Sequence, residues 1–252
     1  MKKRTGYFFI KRAFDIVASL AGIMVTSPIW IVAIIGILVS DFGPIFYVAR
    51  RTGKNNEEFA MYKFRSMRVP KKESEKSEAS FKADTNRIFA FGDLMRKTKI
   101  DELPQLLNVL IGDMSVVGPR PAAKDQLAVM RAGKYNVAAS VRPGLTSPSA
   151  IYDYIYGDSV ADEQDYQRLV LPTRLELEAY YPAHMGVWYD IKMIWYTVAA
   201  IVATVFGKQP KRIFNELVEC AQKERAAEPK IDILVVGEQE TAIPTDAEDA
   251  LK

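Results

Sequence analysis

Residues 13–39 read AFDIVASLAGIMVTSPIWIVAIIGILV, and after Asp15 this stretch carries no charge. At a rise of about 1.5 Å per residue, such a helix is long enough for a hydrocarbon core about 30 Å thick. It is too long for the apolar region of a signal peptide, and no small-residue cleavage site follows it. Two features argue against a simple spanning helix. Ser27-Pro28 falls mid-run, where proline removes a backbone donor and clashes with the preceding turn, so a kink is expected. The hydroxyls of Thr26 and Ser27 are placed to bond the carbonyls that the kink frees. The flanking charges weigh more. Lys2, Lys3, Arg4, Lys11 and Arg12 precede the run, and Arg50, Arg51, Lys54, Lys63, Arg65 and Arg68 follow it. Positive flanks stay on the cytoplasmic side of a membrane, and here both flanks are positive. The economical solution is a re-entrant helix that enters the bilayer, bends at Ser27-Pro28 and leaves by the same face. The alternative is a spanning anchor with a soluble head, which puts the N-terminus outside the cytoplasm.

The rest of the chain bounds the chemistry. At 252 residues it is long enough for one good-sized domain with an appendage. Its mild net charge of +3 and the short mixed-sign run at 70–80 (PKKESEKSEAS), a solvated mobile loop, give no nucleic-acid surface. Cys220 and His184 are each the only residue of their type. That excludes an internal disulfide, a thiolate zinc site and a His-rich metal site, and it fits a reducing compartment. Both residues read as structural, His184 near a helix end and Cys220 as a small packing residue.

Asp41 to Pro44 marks the exit from the apolar segment with turn residues, and short strands are expected at 45–48 and 58–64. Residues 88–111 read as a helix interrupted near 98–104 and stopped at Gly112, and Gly118-Pro119-Arg120-Pro121 as a rigid turn. Helices are expected at 123–139 and at 163–181, the second broken at Pro172 and ended by Pro182. At helical periodicity Trp188, Ile191, Trp195, Val198, Val202 and Phe206 share one face of 187–206, opposite Asp190, Thr197, Thr204 and Lys208. An aromatic-rich apolar face with a thin polar stripe suits the headgroup region of a membrane, though a core-facing helix shows the same pattern. The division is therefore a membrane helix at 1–40, a cytosolic domain at 41–206 with its interfacial helix at 187–206, and a tail at 207–252. In the tail, 211–227 reads as a short helix, 231–236 as a lone strand and 239–252 as disordered. A lone strand needs a partner sheet, which makes a homodimer through this tail a candidate arrangement.

The chemistry points to Lys99-Ile100-Asp101-Glu102-Leu103-Pro104-Gln105. Proline belongs in a first helical turn, so a helix restarts near Asp101 to Leu103. Neighbouring residues of a regular helix point about 100° apart, so both carboxylates reach one cavity only if the chain is irregular here. An ordinary helix start, with Asp as cap and Glu in the first turn, would look the same. The setting favours chemistry. Lys63, Arg65, Arg96, Lys97, Arg120 and Arg142 lie in short Gly-, Pro- and aromatic-rich segments, with Arg120 between two prolines and Arg142 before Pro143-Gly144. An arginine on a rigid turn pre-orients its planar fork for a pair of phosphate oxygens. Carboxylates with several arginines, and no histidine among them, suit phosphoryl transfer with a hard cation such as Mg²⁺.

Together these segments resemble the small monotopic phosphoglycosyl transferases, the bacterial sugar transferase family. The resemblance rests on Lys11-Arg12-Ala13-Phe14-Asp15, Ser27-Pro28, Gly43-Pro44-Ile45-Phe46 and Tyr62 to Met67. It continues through Arg96-Lys97-Thr98, Asp101 to Leu110, Gly112-Asp113-Met114-Ser115, Val117 to Pro121 and Val141 to Gly144. It covers residues 11 to about 206, in order. It implies an α+β, mostly helical monotopic protein on the cytoplasmic face of a bacterial inner membrane, with a re-entrant helix broken at Ser27-Pro28. It also implies that Asp101 attacks a nucleotide diphosphate sugar, usually a UDP-sugar, releasing UMP and keeping the phosphosugar covalently. Polyprenyl phosphate then takes the phosphosugar. By the same resemblance Glu102 assists as a base or by positioning, and Asp101 helps to hold Mg²⁺. Lys63, Arg96, Arg120 and Arg142 bind phosphates or orient the carboxylates. Leu145 to Ala150 replaces the Thr-Gly-Trp that follows the Arg-Pro-Gly turn in many relatives, which leaves the donor sugar open. With no multi-helix extension before it, the chain reads as a minimal catalytic form. A catalytically silent membrane scaffold for glycan assembly is the competing function.

Overall fold

The computed structural model describes residues 5–69, 85–157, 160, 162–208 and 218–219. The expected loop at 70–80, Cys220 and the tail elements, with the dimer they suggest, lie outside the described residues.

The apolar segment forms α1, Thr5–Ser40, a helix of 36 residues that is not divided at Ser27-Pro28. The break expected there is absent from the secondary structure, and the side chains explain how. Pro28 has no N–H for the Met24 carbonyl, and the Ser27 hydroxyl donates to that carbonyl instead, at 2.8 Å. Thr26 Oγ1 adds a bond to Gly22 O at 2.6 Å. Val17, Met24, Val25, Ile31, Val32 and Val39 leave one side of α1 exposed and apolar. The other side rests on the folded domain at both ends. Near the N-terminus Lys11 pairs with Asp190 at 2.6 Å, and Asp15 accepts from Ser115 Oγ and the Val116 N–H, each at 2.9 Å. Toward the C-terminus Ala33 and Ile37 join Phe64, Phe89 and Met95 in one buried cluster. The single charge of the apolar run is thus a buried acceptor that fixes α1 to the domain.

Beyond α1, strand β1 (Phe46–Thr52) pairs antiparallel with β2 (Glu58–Phe64), from Phe46 opposite Phe64 to Thr52 opposite Glu58. These are the two expected strands, the first longer than expected. Helix α2 (Ala90–Lys97) leads through a 3-10 turn at Ile100–Glu102 into α3 (Gln105–Ile111). Gly112 ends α3 at φ +110°, a left-handed cap that suits glycine. Strand β3 (Ser115–Val117) follows, then β4 (Ala122–Ala123), which adds to the free edge of β1. Parallel to β3 runs β5 (Gly144–Thr146). The two arginine-bearing turns meet here at backbone contact. A Cβ on Gly144 would stand 2.1 Å from Gly118 N, and one on Gly118 would stand 2.3 Å from Arg142 O, so only glycine fits at either position.

Helices α4 (Leu127–Met130), α5 (Pro148–Tyr156) and α6 (Glu163–Asp165) follow, then α7 (Leu171–His184) and α8 (Val187–Val205). Three expectations need correction. Residues 123–139 are not one helix. Ala132 is extended and Gly133, a poor helix former, restarts the chain as a 3-10 segment over Gly133–Ser140. Pro182 does not end α7, which runs to His184, while the interruption expected at Pro172 takes the form of a π turn at Tyr166–Val170. Helix α5 was not foreseen, although Ser147 caps it from just before Pro148 by accepting from the Ala150 N–H. On α8, Trp188, Ile191, Trp195, Val198, Val202 and Phe206 are all exposed, whereas Met193 and Ala200 enter the core. The apolar stripe expected from periodicity is therefore not the core-facing side. His184 stacks on Tyr180 with ring centroids 3.6 Å apart, in keeping with a structural role.

The tie between α3 and the sheet is polar and buried. Asn108, fully buried, accepts from the Tyr62 N–H at 3.0 Å and donates to Ala60 O at 2.7 Å. Asn108→Ala strands both backbone groups and is expected to cost about 1–3 kcal/mol. Denaturation in detergent reads the loss, and a wild-type midpoint would rule out the tie.

Candidate active site

The irregular backbone that a shared cavity requires is present before α3. Lys99 takes a left-handed conformation, φ 58° and ψ 17°, and the 3-10 turn Ile100–Glu102 carries Asp101 and Glu102 as its last two residues. The helix restarts at Gln105 with Pro104 as its cap, a little later than expected. Asp101 turns inward and is 4% exposed, and its Oδ1 has no hydrogen-bond partner among the described residues. Glu102 takes Lys63 Nζ at 3.1 Å. Lys63 stands on β2 opposite Tyr47, so the sheet register and the Asn108 tie fix its height against the carboxylates.

The two neighbouring carboxyls are pushed in opposite directions. Burial raises the Asp101 pKa; Lys63, Lys99 and Arg96 pull it back and the Glu102 charge adds to the rise, so the carboxyl stays above the ordinary range. Burial also disfavours the Glu102 charge, but the cations Lys63, Lys99 and Arg120 outweigh it and hold this carboxyl well below its ordinary value. Glu102 is the fixed anion and Asp101 the tunable one.

Three of the four expected basic residues gather here. Lys63 is in contact, and Arg96, in the last turn of α2, acts on Asp101 through its charge. Arg120 lines a cavity of about 230 Å³ together with Glu102 and Lys99. Behind Arg120 lies a buried ionic layer, in which Arg131 pairs with Glu178 at 3.1 Å and Arg174 donates to Tyr166 Oη at 2.7 Å. Arg142 is placed differently. Its Nε donates to Gly112 O at 2.7 Å, and it borders a separate cavity of about 40 Å³ with Lys11, Arg12 and Lys54. Arg65 is buried and serves the exit of α1, donating to Pro44 O at 2.5 Å and pairing with Asp41. Ser27 and Pro28 stay in α1. Sequence reasoning missed Lys99, whose Nζ lies 4.7 Å from the centroid of the Tyr154 ring. A lysine two residues before the carboxylates was visible, but its left-handed backbone was not.

The rest of the large cavity is mostly apolar, with Leu103, Leu106, Leu145, Ile194, Val198 and Ile201 beside Thr146, Tyr154 and Thr197. Asp101 does not line it, but its neighbours Lys99 and Glu102 do, and a carboxylate with an unpartnered oxygen among cations is suited to phosphoryl transfer. The model of the bacterial sugar transferase family matches residues 6–204. The chain belongs to this family. It is 35% identical over 80% of its length to a UDP-N-acetylgalactosamine-undecaprenyl-phosphate N-acetylgalactosaminephosphotransferase of Aeromonas hydrophila. To an undecaprenyl-phosphate galactose phosphotransferase of Salmonella typhimurium it is 33% identical over 77%. The chain spans less than half of these two relatives, 45% and 40% of their lengths. By contrast it covers 94% of the exopolysaccharide production protein PSS of Rhizobium leguminosarum, at 34% identity over 76% of the chain.

Because Asp101 ionises later than an ordinary carboxylate, its charge is lost early as pH falls. Lys63 holds its pKa down, so Lys63→Met raises it further and shifts the acid limb of the pH–rate profile to higher pH. A loss of rate of at least about tenfold is expected with it. An unmoved acid limb in steady-state profiles would mean that Lys63 does not face Asp101.

Proposed function

We propose that the chain transfers a phosphosugar from a nucleotide diphosphate sugar, of the UDP-sugar class, to polyprenyl phosphate. The carrying observation is the buried Asp101 with its unpartnered Oδ1 among Lys63, Lys99, Arg96 and Arg120. A carboxylate oxygen of Asp101 attacks the phosphorus next to the sugar, the bond to the bridging oxygen breaks, and UMP leaves with that oxygen. A phosphate oxygen of the acceptor then attacks the same phosphorus, frees the carboxylate and yields the polyprenyl diphosphate-linked sugar. Glu102, kept ionised, holds Lys63 in place beside the reacting groups. Arg96 and Arg120 supply charge for the diphosphate, and Arg142 supports the turn beside Arg120.

Among the described residues no group of three or more His, Cys, Asp or Glu side chains converges in the manner of a protein-only metal cage. The free oxygen of Asp101 instead fits a cation shared with substrate phosphates, as is usual for Mg²⁺. When bound, Mg²⁺ would offset the charge of the diphosphate.

The same reading puts the protein on the cytoplasmic face of the inner membrane, with α1 re-entrant. Among the described residues α1 is the one helix long and apolar enough to cross a membrane. Its support for re-entry is that Lys11 and Asp15 at one end, and Ala33 and Ile37 at the other, touch the same domain. A helix passing to the opposite side would lose one of these contacts. The exposed tryptophans of α8 suit the headgroup region.

Incubated with a labelled UDP-sugar and no lipid, wild-type protein should retain label covalently and release UMP. Asp101→Asn should fall below about one-thousandth of that activity, and label retained by Asp101→Asn would overturn the nucleophile. In a Cys220→Ser background, single cysteines at positions 6 and 54 should react from the same face of sealed vesicles. Labelling from opposite faces would mean a spanning helix.

A further inference from the structure

The large cavity is chemically two-ended. Lys99, Glu102 and Arg120 stand at one end, and the body is lined by hydrocarbon from Leu103 and Leu106 after the 3-10 turn, Leu145 on β5, and Ile194, Val198 and Ile201 on α8. The hydroxyls of Thr146 and Thr197 also face it, but they hydrogen-bond to each other. A uridine or a hexose buried in this body would leave its polar groups unpaired, a heavy cost in an apolar site. A hydrocarbon chain would not.

The cavity also reaches the apolar outer surface. Val198 lines it and is at the same time 50% exposed, on the side of α8 that carries Trp188 and Trp195. On the opposite wall Leu106 meets α1, its Cδ1 lying 3.2 Å from where a Gly22 Cβ would be. Helix α8 therefore walls the slot, α1 packs behind Leu106, and the slot ends at Lys99, Glu102 and Arg120. It is far too small for a long polyprenyl chain, so only the isoprene units next to the phosphate fit inside, with the remainder outside along α8.

We propose that this slot, walled by α8 and by Leu103 and Leu106, seats the phosphate-proximal isoprene units of the acceptor lipid and delivers its phosphate to Lys99 and Arg120. The proposal rests on the phosphosugar-transfer reading for the acceptor's identity. It adds a direction of approach: the acceptor's hydrocarbon comes through the slot, and its phosphate takes the place opposite the Asp101 carboxylate that UMP has left. Residues that shape the slot then govern which acceptor lipids are used, without touching the donor step.

The direct test is a short prenyl phosphate carrying a diazirine in its first isoprene unit, photolysed with wild-type protein in nanodiscs and without nucleotide sugar. The expected label falls on residues 194–201 and 103–106 and is competed by unlabelled prenyl phosphate. Label confined to other segments, or not competed, would overturn the proposal, and because no sugar is present this outcome is independent of whether the chain transfers phosphosugar. Kinetics supply a second reading. Ile201→Trp and Val198→Trp narrow the slot from α8. Each is expected to raise the acceptor KM at least about tenfold, while label retained from UDP-sugar without lipid stays at the wild-type level. Unchanged acceptor KM in both variants would also overturn it.

Discussion

Everything at the site depends on how α3 is held. This seven-residue helix carries the carboxylate turn at its start, and it is too short to be stable by itself. Arg12 of α1 donates to Val109 O and Leu110 O at 2.7 and 2.8 Å, meeting carbonyls left without helical partners and the negative end of the helix dipole. Arg142 reaches Gly112 O just beyond. Asn108 ties the middle of α3 to β2, and Leu106 packs against α1 beside Gly22. Helix α1 is therefore a structural support of the site. Moving α1 relative to the domain would move Asp101 relative to Lys63.

That rigidity is what allows two adjacent carboxyls to differ. In water both would ionise at similar pH. Here the backbone of Lys99 sends Asp101 inward, where burial dominates, and leaves Glu102 against Lys63, where cations dominate. An ionised neighbour held by an ion pair cannot act as a proton donor, yet it keeps a lysine at the site and adds negative charge beside Asp101. Asp101 in turn is buried and poorly solvated. The cost of burying it is offset by cations that a diphosphate also needs.

Much of this was legible in the chain because it depended on local patterns. Two strands, the interrupted helix, the Gly112 stop and the stripe on α8 followed from periodicity and from glycine and proline positions. Ser27-Pro28 was legible as a disturbance, but its outcome was not, since the Ser27 hydroxyl replaces the bond that proline removes and the helix continues. Among the site residues, Lys63, Arg96 and Arg120 converge as their types suggested. Arg142 looks the same as Arg120 in sequence, an arginine fixed beside proline and glycine, yet it bonds Gly112 O instead of lining the large cavity. What separates them is the backbone contact of Gly118 with Gly144, which sets the two turns back to back and aims their side chains apart. A contact between residues distant in sequence leaves no local pattern to read. Lys99 and Asn108 escaped for the same reason, one through its left-handed backbone and the other through a tie across the fold.

The placement of polarity across the site has a consequence for catalysis at a membrane. A lipid phosphate and a water-soluble diphosphate meet best where apolar surface ends and fixed cations begin, since neither must then leave its own solvent before binding. Here α1 and α8 each expose an apolar side, the apolar cavity lies against α8, and Lys99 and Arg120 stand at one end of it with Glu102, which holds Lys63. Burial strengthens each of those charges toward a phosphate, because little water remains to screen them. The same burial raises the pKa of Asp101, and the cations around it offset only part of that rise. A carboxyl tuned in this way is kept from water. Glu102 and Leu103 line the cavity and Asp101 precedes them on the same turn, so α3, pinned between α1 and the sheet, holds the cavity and the carboxyl together.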